Sequence, residues 1–138
     1  MSGEFCDTNV FIYANDASAG DKQERARRLL DRLWGSGTGV VSLQVLQELY
    51  VNLTRKLRPP VAPLDAREIV AELRTWRVIE PEKNDVIAAI DASLRWRISF
   101  WDGLLLTTAR KAAAEVLWSE DLNDGQNFDG VTVRNPFL

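Results

Sequence analysis

Glu4-Phe5-Cys6-Asp7-Thr8-Asn9-Val10-Phe11-Ile12-Tyr13-Ala14 is the stretch on which the fold turns. Glu4-Phe5-Cys6 reads as a short buried strand, and Asn9 to Ala14 as a helical turn straight after it. Downstream the alternation repeats. Asp21 to Leu33 reads as an amphipathic helix, with Ala26, Leu29, Leu30 and Leu33 at helical spacing and Gly35 placed to end it. Gly39-Val40-Val41 is the next strand, and Ser42 is a plausible N-cap for a helix to Leu57, which Pro59-Pro60 terminates. Leu64 to Trp76 is predicted helical, with Asp65 and Glu68 three apart at its start, and Arg77-Val78-Ile79 is a strand closed by Pro81. Lys83 to Trp96 is helical by the spacing of Val86, Ile87, Ile90 and Leu94. Phe100 to Ala114 is the last helix and Glu115 to Trp118 the strand after it. Asp121 to Gly130 reads as a polar loop, and Val131-Thr132-Val133 as a final strand. This order predicts an α/β fold with a mainly parallel sheet covered on both faces.

At 138 residues the chain fits one domain over 1–138, long enough to bury a real core. No apolar run approaches a membrane span, and Met1-Ser2-Gly3-Glu4 lacks a basic region followed by an apolar stretch, so neither a membrane nor a secretory signal is expected. One cysteine, Cys6, allows no internal disulfide and suits a reducing, cytoplasmic compartment; in a buried strand it reads as a core residue. Histidine is absent altogether, which excludes Ser-His and Cys-His nucleophiles, histidine-based ribonuclease chemistry and imidazole zinc sites. Acid–base and metal chemistry then fall to carboxylates, which prefer hard cations such as Mg²⁺ or Mn²⁺. The net charge of −3 hides its distribution: acids gathered at one metal site leave the rest of the surface less acidic than the total implies.

Four positions carry the weight of that expectation. Asp7 ends the first strand, at the sheet edge where open α/β folds bind ligands; its structural alternative is an N-cap or Asx turn. Asp102 lies on the apolar stripe of its helix with Leu105, Leu106 and Ala109. A carboxylate there is costly unless paired or bound to a cation, although Ser99-Phe100-Trp101-Asp102 also has the spacing of a capping box. Because a helix feeding a parallel strand runs antiparallel to it, the start of this helix falls on the same edge as Asp7. Asp121 follows the strand ending at Trp118, and sequence alone barely separates it from Glu120 or from Asp124, whose pairing with Gly125 is a turn signal. Glu48 faces away from the core side formed by Leu46, Leu49, Tyr50, Leu53 and Leu57, on a polar face with Gln44 and Arg55, so periodicity makes it a solvated glutamate.

Other features have plainer readings. Gly35-Ser36-Gly37-Thr38-Gly39 precedes a strand and lacks a closing Lys-Ser or Lys-Thr pair, so it is a helix-ending turn rather than a phosphate loop. Trp34, Trp76, Trp96 and Trp118 read as packing residues, with Trp101 left open because it adjoins Asp102. Arg25, Arg27, Arg28 and Arg32, then Arg55, Lys56 and Arg58, are solvated helix faces, either of which can also serve as a phosphate-tracking rim.

The run Phe5-Cys6-Asp7-Thr8-Asn9-Val10-Phe11-Ile12-Tyr13-Ala14 resembles the opening of PIN-domain ribonucleases, especially VapC-type toxins of toxin–antitoxin systems. The resemblance continues in Ser42-Leu43-Gln44-Val45-Leu46-Gln47-Glu48, in Ser99-Phe100-Trp101-Asp102, in Ser119-Glu120-Asp121-Leu122 and in Val133-Arg134-Asn135-Pro136-Phe137. It implies a PIN-like three-layer fold with a central parallel five-stranded sheet, and acids converging at its carboxyl edge around Mg²⁺ or Mn²⁺. It carries over Asp7, Glu48, Asp102 and Asp121 as the acidic set, with Asp7 and Asp102 as metal ligands and Glu48 and Asp121 as further ligands or water-orienting groups. Thr8, Asn9 and Ser119 match motif positions that orient ligands or water. The implied activity is hydrolysis of RNA phosphodiester bonds, and the implied partners are RNA, a cognate antitoxin and a second copy of the chain. The physics agrees: two carboxylates about 4 Å apart repel by roughly 4 kcal/mol at an effective dielectric near 20, so a fully ionised cluster needs a cation.

Two rivals differ in kind. A PIN-like module that binds RNA or protein without cutting keeps the fold and loses the chemistry. A haloacid-dehalogenase-like phosphatase needs a second acid two residues after the first, where this chain has Asn9.

Overall fold

In the computed structural model, which describes residues 3–138, local caps set where each element begins. Residues 1 and 2, part of the segment expected to carry no secretory signal, lie outside the described residues. Strand β1 (Glu4–Cys6) passes to helix α1 (Thr8–Ala14) through Asp7, whose side chain accepts from the Thr8 backbone amide. Helix α2 (Asp21–Ser36) outruns its expected end, because Gly37 and not Gly35 takes the left-handed conformation (φ 71°) that closes a helix. Strand β2 (Gly39–Ser42) leads into α3 (Leu43–Arg55), where the Ser42 hydroxyl accepts from the Val45 amide at 3.3 Å. Pro63 opens α4 (Pro63–Glu72) one residue before Leu64, since proline at a first helical position gives up only an amide that has no partner there. A 3-10 turn, Leu73–Thr75, then reaches β3 (Arg77–Ile79). Helix α5 (Lys83–Trp96) starts with a reciprocal Glu82–Asp85 capping box. After it come α6 (Phe100–Lys111), β4 (Val116–Trp118), β5 (Asn127–Phe128) and β6 (Val131–Arg134).

The sheet order is β3-β2-β1-β4-β6-β5. Its first five strands are mutually parallel, as expected, but the sheet has six strands rather than five. The sixth, β5, pairs antiparallel with β6 through Asn127–Thr132 and Phe128–Val131. The segment expected to be a polar loop therefore ends in a hairpin. Its turn is Asp129-Gly130, both at positive φ (52° and 102°), the geometry that suits two-residue hairpin loops. Phe128, buried within an otherwise polar run, anchors this edge strand.

Strand order decides where a ligand can sit. From β1 the chain builds outward through β2 and β3, then returns to the other side of β1 for β4. The reversal opens a crevice at the carboxyl ends of β1 and β4, which is where such sheets bind ligands. Phe5, Cys6, Val40, Val41, Leu117 and Val133 fill the sheet interior, with Val10, Leu33, Leu49, Leu53, Leu105 and Leu106 packed over it from the helices. Burial pushes the Cys6 thiol far above its ordinary range, in keeping with a core residue.

Helix α5 departs from the usual amphipathic pattern. It lies against α6, where a β-carbon at Gly103 would collide with the Ala89 carbonyl, so glycine is what permits the close approach. The contact face is Ala89, and the apolar set that marked the helix in the sequence faces out: Val86, Ile87, Ile90 and Leu94 are all exposed, Leu94 by 74%. Among the described residues no helix is long and apolar enough to cross a membrane.

Candidate active site

Asp7 is 6% exposed at the end of β1, at the mouth of the crevice. Its Oδ1 accepts from the Thr8 amide at 2.7 Å and its Oδ2 from the Ser119 hydroxyl at 2.8 Å, with the Asn9 side-chain amide at 3.5 Å. All three donors are neutral. Burial pushes the Asp7 carboxyl up to about 7; the Ser119 and Thr8 hydrogen bonds oppose that rise, and the charges of Asp121 and Glu48 add to it. The Asp7 carboxylate divides its oxygens: one caps α1 and the other turns to Ser119.

Ser119 is fully buried just beyond β4 and works in both directions. Its hydroxyl donates to Asp7 and accepts from the Asp121 amide at 3.1 Å, tying the two sheet-edge segments together. Asn9 makes a second tie, its amide reaching Asp121 Oδ2 at 3.3 Å as well as Asp7. The three acids that sequence barely separated have distinct surroundings. Glu120 accepts from Lys22 Nζ at 2.7 Å and from the Tyr13 hydroxyl at 2.8 Å; burial raises its pKa, but those two donors outweigh it and hold the carboxyl low. Asp124 accepts from the Asn135 amide at 2.8 Å and fixes a turn. Asp121 keeps an exposed carboxylate whose one hydrogen-bond donor among the described residues is the Asn9 amide.

Glu48 is half-buried, not solvated. Its Oε2 accepts from the Thr8 hydroxyl at 3.1 Å and its Oε1 from the Gln44 side-chain amide at 2.7 Å. The observed core face of α3 is rotated from the expected one: Gln44, Val45, Leu49 and Leu53 are buried while Tyr50 is exposed, so Glu48 lies at the margin of the buried face, against the start of α1. Asp102 begins α6, where its backbone amide donates to Ser99 Oγ at 3.0 Å, one arm of the expected capping box. Burial raises the Asp102 carboxyl, the Ser99 hydroxyl opposes this, and the charges of Asp121 and Glu48 push it further up. The charges of Glu48 and Asp121 therefore reach both Asp7 and Asp102, although Asp102 does not line the groove of about 480 Å³ that Asp7, Glu48 and Asp121 share.

Among the described residues no three acids stand close enough to hold an ion together as they are arranged here. The donor chemistry nevertheless fits a hard divalent cation. Asp7 and Asp102, both raised by burial and by the charges of Glu48 and Asp121, form with those two acids a set that added positive charge would stabilise. Asn9 Oδ1 and Gln44 Oε1 are buried oxygen atoms with no hydrogen-bond partner among the described residues, so spare acceptor capacity sits beside the same acids.

Gln44, Tyr13 and Lys22 belong to this neighbourhood without having been singled out in the sequence. Gln44 also reaches the Trp101 carbonyl at 3.4 Å, bridging α3 to the start of α6. Its signal was its stride of four from Glu48 on a helix face dismissed as solvent-facing. Trp101, left open in the sequence, is 61% exposed and touches Phe100 edge-on.

Residues 5–126 match the family model described as the PIN domain. Among solved structures, the chain is similar to a toxin–antitoxin complex from Klebsiella pneumoniae, with 19% identity, 97% of this chain and 98% of that chain covered, and a TM-score of 0.71. A DNA-bound VapBC from Salmonella typhimurium gives 15% identity, 99% coverage of each chain and a TM-score of 0.70. VapC20 of Mycobacterium tuberculosis, described as a toxin that cleaves the sarcin–ricin loop, gives 21% identity, coverage of 86% and 90%, and a TM-score of 0.67. No curated protein matches the chain.

Proposed function

Since the chain belongs to the PIN-domain family, we propose that it is a metal-dependent endoribonuclease and the toxin of a VapBC-type toxin–antitoxin pair, acting as a single domain over 1–138. The observation that carries this reading is the buried Asp7 carboxylate, which is surrounded by neutral donors and further acids and has no cation of the protein's own. Asp7, Asp102, Glu48 and Asp121 would hold Mg²⁺ or Mn²⁺. Bound there, the ion lowers the pKa of a water and offsets charge building on the phosphate oxygens.

The chain's own residues do the positioning. The Ser119 hydroxyl fixes Asp7 Oδ2, the Thr8 hydroxyl and Gln44 amide fix the two oxygens of Glu48, and the Asn9 amide spans Asp7 and Asp121. With the carboxylates so placed, water oxygen bonds to phosphorus as the P–O3′ bond breaks and the 3′ oxygen takes a proton. The products are a 5′-phosphate and a 3′-hydroxyl. The test is cleavage of single-stranded RNA with and without Mn²⁺. Wild type is expected to cut only with metal, while Asp7→Asn and Asp102→Asn do not cut; equal cleavage by all three would mean contamination and remove the assignment.

The partners follow from surfaces. Val86, Ile87, Ile90 and Leu94 form an exposed apolar stripe on α5, and burying such side chains contributes about 1.5–3 kcal/mol each. A second copy of the chain is proposed to cover it, so Ile87→Glu is expected to shift sedimentation from dimer to monomer; an unchanged dimer rules out this face. The antitoxin is proposed to use the groove of about 300 Å³ between α3 and α4, whose apolar lining of Leu46, Tyr50, Val70 and Ala71 is flanked by Arg67 and Arg74. A cytoplasmic location is proposed on the single free Cys6.

A further inference from the structure

The groove over the acids has a wall that the proposed chemistry leaves unused. Helix α3 presents Glu48, Asn52 and its C-cap Lys56 at intervals of four, on one stripe, and all three line the groove. The lining also contains Asp7, Asp16, Glu120 and Asp121, so five carboxylates face a single basic side chain, Lys56. Such a groove repels a polyanion unless positive charge is supplied, and with Glu120 already paired one divalent ion does not balance the other four acids. Lys22, nearby, is spent on Glu120 at 2.7 Å. Lys56 is exposed and no acid among the described residues pairs with it. The Asn52 side chain is half-buried and makes no hydrogen bond among the described residues, so its donors are also free. At 1.5 Å per residue, Asn52 and Lys56 lie about 6 and about 12 Å along α3 from Glu48. That places Lys56 beyond the bond Glu48 serves and within reach of the neighbouring nucleotide, with Asn52 between the two.

We propose that Asn52 and Lys56 form the track for the RNA backbone beside the cleaved bond. Lys56 binds a phosphate next to the scissile one, and the Asn52 amide donates to a sugar or phosphate oxygen between them. The inference rests on the endoribonuclease reading and adds which wall of the groove the substrate follows. The competing explanation for Lys56 is structural, because a cation at a helix C-terminus complements its dipole. That role alters melting temperature slightly and leaves substrate affinity alone.

The experiment compares Lys56→Ala, Asn52→Ala and, as a charge-matched neighbour outside the groove lining, Arg55→Ala. In cleavage assays with Mn²⁺, Lys56→Ala is expected to raise KM about five- to tenfold with kcat within about twofold, and Asn52→Ala to raise KM about two- to fourfold, since a phosphate contact is uniform binding energy. On an Asp7→Asn background, which binds without cutting, Lys56→Ala is expected to reduce the slope of log Kd against log salt by about 0.7, one phosphate of a single strand. Unchanged KM and salt slope in Lys56→Ala, with wild-type cleavage intact, overturns the track and leaves the nuclease standing. Equal effects of Arg55→Ala and Lys56→Ala also overturn it, because the cause is then general surface charge. If wild type does not cleave, the nuclease reading falls, and the binding arm still decides whether RNA follows this wall.

Discussion

Glu4 and Asp7 sit at opposite ends of the same three-residue strand and meet opposite fates. Glu4, at the amino end, accepts from two Arg32 nitrogens at 2.8 Å each, from Trp118 Nε1 at 3.0 Å and from the Thr38 hydroxyl at 3.3 Å. The Arg32 hydrogen bonds lead in holding its pKa low, against the burial that would raise it. Asp7, at the carboxyl end, is more deeply buried, receives no cation, has Asp121 and Glu48 within its field, and is pushed up to about 7. The protein answers the charge of one carboxylate with its own side chains and, among the described residues, leaves that of the other unanswered. Depth of burial alone does not single out a candidate site; burial with the compensating charge withheld does.

The sharpest way to break the comparison is to neutralise each carboxylate. Asp7→Asn is expected to lower the RNA cleavage rate at least about a thousandfold, roughly 4 kcal/mol in the barrier, while Glu4→Gln stays within about threefold. Rates measured at saturating Mn²⁺ check both. If Glu4→Gln proves as damaging as Asp7→Asn, the two ends of β1 are not functionally distinct.

The next effect is in stability against pH without metal. The folded pKa of Asp7 lies above its unfolded value, so between about pH 4 and 7 the native state binds more protons than the unfolded state, and stability falls as pH rises. The shift from 3.8 to about 7 corresponds to a loss on the order of 4 kcal/mol, complete above pH 7, with Asp102 adding to it in the same direction. Glu4 has the opposite sign: its folded pKa is lowered, so its contribution is present above the unfolded value and lost as pH falls through the folded one. Metal-free protein is therefore expected to be most stable near about pH 5, by urea unfolding across pH 4–8, and Asp7→Asn to flatten the decline toward pH 8. A wild-type profile that rises toward pH 8 would contradict the withheld charge at Asp7.

This contrast was half visible in the sequence. Position at the end of a β-strand brought out Asp7, and periodicity brought out Asp102, because both signals are local. The five parallel strands were legible for the same reason. Glu48 was not, since the spacing of Leu46, Leu49, Tyr50, Leu53 and Leu57 centred the core face of α3 on the wrong side: the structure buries Gln44 and Val45 and exposes Tyr50, which brings Glu48 to the edge of the buried face. The outward apolar face of α5 misled in the converse way: its spacing gave the helix correctly, while the glycine at 103 that draws Ala89 inward lies on a different helix. Asp121 and Glu120 are neighbours with equivalent sequence signals, and residues about a hundred positions away distinguish them: Lys22 and Tyr13 take Glu120, while Asn9 reaches Asp121.

The smallest predicted effect bears on whether the completed end of β1 is purely structural. Arg32→Met keeps much of the apolar stem and removes the guanidinium from Glu4. Because Arg32 is 52% exposed at its side chain and Glu4 is 19% exposed, solvent screens the pair, and about 1 kcal/mol of stability is the expected loss. Glu4 keeps its Trp118 and Thr38 donors and can rehydrate at the sheet edge, so the strand stays in register. The rise in melting temperature on adding millimolar Mn²⁺ should then equal that of wild type, because binding at the far end of β1 stabilises by its own occupancy, independent of Glu4. A smaller Mn²⁺ shift in Arg32→Met would mean that charge at Glu4 is felt at Asp7 along the strand. The two ends would then be one coupled electrostatic unit, and the division of labour along β1 would have to be withdrawn.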